Sequence, residues 1–325
     1  MGSLLGIGLL LRSVDLTGVA HDAHGADLHW IAIAVGLTGL AFAANVFEWG
    51  VLLRSAASHV RWSSLSSWQA QSVFFGHVIP SPAAGDAVRV VNATRVAGGG
   101  PGLASLLGSR MASSLGMALW GLAGAVVLRS AFGLSVLAVG AAFALLMILS
   151  WLLALTASRV VSGLCDHTCR VRRRAGMLVR PLTDGFHALR HDRPALFSCI
   201  VVGSIGWSLN LLSLEAFAHA VAVDVPVTLF AVAVPISLIA TLSPVSVNGL
   251  GLREGVMAAL LAHAGVDASH AGALSLLIDV QMVPIALAGG LLWMSSRRRR
   301  AAQPVPCGEL SDAPPPNDAW AVDAS

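Results

Sequence analysis

Residues 30–53 run for 24 positions with a single charged side chain, Glu48. A helix of about 20 apolar residues crosses the ~30 Å hydrocarbon core of a bilayer. Comparable apolar runs recur at 103–128, 132–156, 195–221 and 272–294, with shorter ones at 64–80 and 227–242. Inside lipid, every backbone N–H and C=O needs an internal partner, and a helix supplies these within one segment. The runs therefore predict an all-α, polytopic integral membrane helix bundle. Counting full and short runs gives about six to eight spans, with two re-entrant or broken helices. Composition agrees: 56% of residues are hydrophobic and 11% charged, against about 25% charged in soluble domains.

All 20 basic residues are arginine, and their placement says more than the net charge of +3. Arg54 and Arg61, Arg89 and Arg95, eight arginines in 158–193 and four at 297–300 all flank apolar runs. Positively charged loops stay cytoplasmic. That rule runs 30–53 inward, 103–128 outward and 132–156 inward, in the cell (plasma) membrane with the C-terminus cytoplasmic. Residues 1–296 then form one membrane domain, divisible into halves 1–156 and 195–294 joined by a cytoplasmic loop at 158–193. Placed this way, both halves begin on the same side. Residues 1–11 are too short to span alone and read as a short or truncated first span. Residues 297–325 read as a basic stop followed by a disordered, Pro-rich tail.

Two apolar-flanked breaks interrupt this pattern. The first, at 79–89, holds Pro80, Pro82, Gly85, Asp86 and Arg89; the second, at 242–254, holds Pro244, Asn248, Gly249, Gly251, Arg253 and Glu254. Proline removes a backbone donor and glycine permits close approach. Broken backbone at membrane depth is tolerated where protein buries it or where it lines a cavity, and paired breaks point to a transporter's binding site. A broken helix offers free N–H groups to an anion. Arg89 and Arg253 add forked donors suited to phosphate, with Arg110 nearby on the next span. Asp86 and Glu254 hold those arginines in the empty site or accept protons. The positive-inside rule turns both arginines toward the cytoplasm. A purely structural role, as ion pairs pinning re-entrant loops, fits the same residues.

Glu48 and Asp279 are carboxylates within apolar runs and are candidates for proton coupling. Glu48 also fits an interfacial pair with Arg54 or Arg61, and Trp49, Trp62 and Trp68 suit a membrane–water boundary. Residues 98–102 read as a flexible glycine connector, and Pro284 as a bend in the last span. The His and Asp residues of 12–29 and the Cys165–Cys169 pair match no standard metal spacing. No metal or cofactor is expected, and neither is nucleic-acid binding.

These residues resemble the lysylphosphatidylglycerol synthase transmembrane region, also called the flippase-like or UPF0104 family. The resemblance rests on Pro80, Ser81, Gly85, Asp86 and Arg89, on Ser109 and Arg110, and on the late stretch from Ser243 and Pro244 through Asn248, Gly249, Gly251, Arg253 and Glu254. It implies a helical membrane protein that moves or handles a lipid. In its best-understood members a separate soluble domain makes the aminoacylated lipid. Here 25 residues follow Arg300, so aminoacyl transfer is not expected of this chain.

The expected function is flippase-like: an anionic or amphiphilic lipid is the substrate, its headgroup held at the two breaks. An alternative is a membrane enzyme acting on a lipid or polyprenyl phosphate, although no catalytic motif accompanies the lone intramembrane His77. A third is a non-transporting partner of a lipid-modifying complex, anchored through loop 158–193, whose arginines also suit anionic lipid headgroups. Oligomeric state is left open.

Overall fold

The computed structural model describes residues 27–57, 59–79, 84–132, 192–241, 252–266 and 281–301, together with residue 274 and most of 138–149. The described helices are α1 (Leu28–Ala56), α2 (Trp62–Val78), α3 (Ala84–Ala97), α4 (Gly99–Phe132), α5 (Arg193–Ala220), α6 (Val227–Thr241), α7 (Leu252–His263) and α8 (Val283–Ala301). The chain is an all-α membrane protein. Leu28–Ser55, Gly99–Leu128 and Pro194–Ala220 are long and apolar enough to cross a bilayer, and Val227–Leu238 and Val283–Ser296 are shorter apolar helices. Leu40, Leu119, Phe197, Leu287 and Leu291 stand exposed on these helices, as side chains facing lipid would.

The long helices α1 and α5 form the central pair and run antiparallel. Asp27 N–H donates to the Ala220 carbonyl at 3.1 Å, and the Trp30 and His219 rings meet at a tilt, 4.9 Å between centroids. Thr38 meets Ser213, Ala44 lies beside Gly206, and Glu48 lies beside Gly203. Small residues let the two backbones approach. Both N-termini are capped by aspartate: Asp27 accepts from His29 N–H, and Asp192 from Ala195 N–H. A side-chain oxygen at that position satisfies one of the helix's free donors.

Each long helix is followed by a hairpin. α2 and α3 fold back on each other around residues 79–83, of which 80–83 lie outside the described residues. Gly85 makes this possible, because a Cβ there would sit 2.6 Å from the Ser72 carbonyl oxygen. α6 and α7 pack together in the same way. The residues that join them, 242–251, lie outside the described residues. Because α1 and α5 are antiparallel, the two hairpins enter from opposite faces. Residues 242–251 of the second break, and with them the face to which its arginine turns, lie outside the described residues.

Hairpin arms pack across the chain. α2 lies against α8, with Gly289 on the Ala70 carbonyl, Gly290 on the Phe74 ring, and Phe75 edge-on to Trp293 at 5.4 Å. α6 lies against α4, where a Cβ at Gly124 would meet the Thr228 carbonyl oxygen at 2.7 Å. The apolar core gathers Leu211, Leu214, Phe217, Phe230 and Leu261 from α5, α6 and α7.

One boundary expectation is corrected. Residues 98–102 are no loose connector: Gly98 takes φ +83°, α4 starts at Gly99, and Gly102 packs on Ala93 and Thr94. Most of 272–280, the part of the last span before Pro284, lies outside the described residues. Pro284 is the second residue of α8, after a turn at 281–282, where its missing N–H has no helical partner to lose.

Candidate functional site: a buried arginine and a carboxylate bridged by one face of α4

Arg89 sits in the second turn of α3, only 5% exposed. Its guanidinium lies over the Trp49 indole, 4.5 Å from the ring centroid. Nη2 donates to Ser109 Oγ at 3.2 Å, Nη1 stands 3.8 Å from Asp86 Oδ1, and Nε has no hydrogen-bond partner among the described residues. Asp86 makes its short contact elsewhere, accepting from Arg110 Nη2 at 2.6 Å. Arg110 is the solvent-facing member, its side chain 58% exposed. The site thus grades from an open arginine, through a shared carboxylate, to a sealed arginine whose Nη2 alone makes a hydrogen bond among the described residues.

Glu48 lies on the far side of the same stripe, 2% exposed. Ser113 Oγ lies 2.8 Å from both of its carboxylate oxygens and has one proton to donate to either. Ser109 and Ser113 are one helical turn apart on α4, so a single face reaches Arg89 and Glu48. Gly203 closes the other side of the carboxylate, where a Cβ would stand 3.2 Å from its Cδ. The buried Cys199 is its neighbour on α5. Arg89 and Arg110 both lie near enough to bear on the charge of Glu48.

Several expectations change here. Glu48 does not pair with Arg54 or Arg61. Arg54 donates to the Val60 carbonyl and covers Trp62, because α1 turns it away from the carboxylate. Trp49 is no interfacial anchor; it is fully buried beneath Arg89. Asp86, Arg89, Arg110 and Gly85 do come together. The side chains of Arg253 and Glu254, and Asn248, Gly249, Gly251 and Asp279, lie outside the described residues, as does loop 158–193. Ser113, Trp49 and Gly203 were missed. The spacing of Ser109 and Ser113 on a helix already marked by Arg110 was the available signal.

Two arginines and two carboxylates thus gather among apolar helices beside the first hairpin. The family described as Lysylphosphatidylglycerol synthase TM region matches residues 1–290. The chain belongs to that family. Its match takes in both hairpins and every described residue of the site. No curated protein and no solved structure matches the chain. Membership of the lysylphosphatidylglycerol synthase transmembrane region makes this a membrane protein of a lipid-related family, and among the described residues no three His, Cys, Asp or Glu side chains gather as a metal site.

Proposed function

We propose that the protein is a flippase-like carrier, not an enzyme, that binds a lipid headgroup at Arg89, Arg110, Asp86 and Glu48. The observation that carries this reading is Arg89. Burying a guanidinium is costly unless its donors are paired, yet among the described residues this one has a single 3.2 Å hydrogen bond and no partner for Nε. A phosphate oxygen arriving from the hairpin break would use those donors, and a forked guanidinium suits it. Arg110 is the outer member that meets the headgroup first, and Asp86 keeps the two cations together when the site is empty. The acyl or prenyl tails stay in lipid beside the exposed apolar faces of the helices. The ligand class is an anionic or zwitterionic lipid, and the protein's setting is the plasma membrane with the arginine-rich 297–300 run on the cytoplasmic side.

The test is a leaflet-accessibility assay with a fluorescent anionic phospholipid in reconstituted vesicles. Arg89→Ala should reduce lipid crossing at least about tenfold, the equivalent of losing one charge-assisted hydrogen bond. Unchanged crossing in a folded Arg89→Ala protein sinks the assignment. A structural clamp is the second reading, favoured by the stacking of Arg89 on Trp49. It requires Arg89→Ala to lower thermal stability and leave crossing per folded molecule unchanged.

A further inference from the structure

Among the described residues the site holds two guanidinium cations, Arg89 and Arg110, and two carboxylates, Asp86 and Glu48. With both carboxylates ionised these sum to zero. Asp86 faces both cations: it takes the 2.6 Å contact of Arg110 and stands 3.8 Å from Arg89. Glu48 forms no ion pair with either among the described residues, although both lie near enough to bear on its charge. What touches Glu48 carries no formal charge: the Ser113 hydroxyl, 2.8 Å from each oxygen, the Cys199 thiol of α5, and Gly203. From α2 nothing charged faces it, since the titratable side chain of that helix, His77, is exposed and bonds back to the Val73 carbonyl.

A headgroup with one net negative charge upsets this balance. Seated on Arg89 and Arg110, it leaves the group with a net negative charge among apolar helices, where an uncompensated charge is costly. One proton restores neutrality, and the two carboxylates are not equal candidates for it. The Asp86 side chain is 28% exposed and keeps Arg110, so water and a cation both hold its charge. Glu48 is 2% exposed and keeps a hydroxyl and a thiol. It loses the benefit of both arginines as soon as a phosphate oxygen takes up their charge. Protonated, Glu48 gains an O–H that can donate, while the Ser113 hydroxyl serves its other oxygen. The step is a plain protonation. A proton from water adds to a lone pair of one Glu48 oxygen as the headgroup binds, and it returns to water as the headgroup departs.

We propose that the site takes up one proton at Glu48 with each anionic headgroup it binds, so that lipid and proton cross together without net charge. This rests on the headgroup reading above and adds the ion that travels with the lipid. It also divides the substrates by charge. An anionic phosphodiester headgroup brings a proton with it, and a zwitterionic headgroup, already neutral, does not. By linkage, affinity for the anionic lipid falls as pH rises, by up to about tenfold per pH unit over the range in which the proton is taken up. Affinity for the zwitterionic lipid stays level.

Two measurements on the full chain test this. In the first, purified protein in weakly buffered detergent is titrated with short-chain phosphatidylglycerol or phosphatidylcholine, and an indicator dye reads the protons taken up. Phosphatidylglycerol should bring close to one proton per molecule bound at the pH of greatest uptake, and phosphatidylcholine none. Glu48→Gln, with a permanently neutral amide, should take up none with either lipid. Phosphatidylglycerol binding without uptake at any pH overturns the linkage and leaves the headgroup reading standing. Undiminished uptake by Glu48→Gln overturns Glu48 as the proton's seat, and equal uptake with both lipids overturns the charge argument. No binding of phosphatidylglycerol removes the headgroup reading and the linkage with it. In the second measurement, crossing of a fluorescent anionic phospholipid in reconstituted vesicles should respond to an imposed pH gradient, running faster from the acidic side, and ignore a potassium diffusion potential. In Glu48→Gln the two responses should exchange. A wild-type response to the potential alone overturns the coupling. If Glu48→Gln does not fold or does not move lipid, the wild-type contrasts between the two lipids and between the two gradients decide.

Discussion

At the scale of single residues, the site depends on a few groups that have no neutral substitute. Ser113 is the hydroxyl that serves the buried Glu48 carboxylate. Ser113→Ala should lower stability by about 1–3 kcal/mol, the cost of stripping a buried polar group of its partner. Ser113→Thr, which keeps the hydroxyl, should recover most of that in detergent-melting experiments. Arg110→Ala should do less than Arg89→Ala, because Arg110 is exposed and exposed ion pairs contribute about 0–1 kcal/mol. Equal losses of lipid crossing in the two variants would contradict the graded arrangement. Asp86, Arg89, Arg110 and Glu48 were legible from the chain alone, since a charge in an apolar run announces an energetic problem that the fold must solve. Trp49 and Gly203 were not. Tryptophan near a span's end fits an interface as well as a stacking platform, and glycine in a membrane helix has many uses. Which one applies depends on the helix that arrives opposite.

At the scale of elements, the hairpins are the features that sequence punctuation predicts best, and helix junctions are those it predicts least well. Pro80 and Pro82 announce a break because they remove donors. The glycine run at 98–102 announces one too, yet α4 begins within it. In this run Gly98 alone takes the left-handed turn, and Gly102 serves the packing of α4 on Ala93 and Thr94 of α3. The pairing of α2 with α8 left no local signal, because it joins segments more than 200 residues apart (289 against 70). Close approach gives a direct test. Gly85→Ala places a methyl against the Ser72 carbonyl and should destabilise the hairpin by about 1–3 kcal/mol, as overpacking does. Gly36→Ala on α1 has nothing within 4 Å and should be neutral or slightly stabilising, since alanine favours helix. Thermal unfolding of the two variants side by side separates a packing requirement from a general intolerance of Cβ.

At the scale of the whole molecule, the exchange of hairpin arms between halves decides how the chain can fold. α2 finds its partner in α8, and α6 finds its partner in α4. Each half therefore leaves one arm of its hairpin without its main partner. A half released alone would present the Gly289–Gly290 face or the Gly121–Gly124 face to lipid, where small residues gain nothing from tails and lose a close backbone partner. The halves are joined by the arginine-rich 158–193 segment, which supplies a polar place to divide the chain. Cutting there should separate the covalent link from the packing. Residues 1–175 and 176–325 produced together in one cell should assemble and co-purify, held by α1 on α5 and by both exchanged arms. Each fragment produced alone should be degraded or retained as aggregate. Recovery of a stable, monodisperse fragment on its own would mean that one half closes its own core. That outcome would remove the physical reason for the hairpin arms to be exchanged between halves.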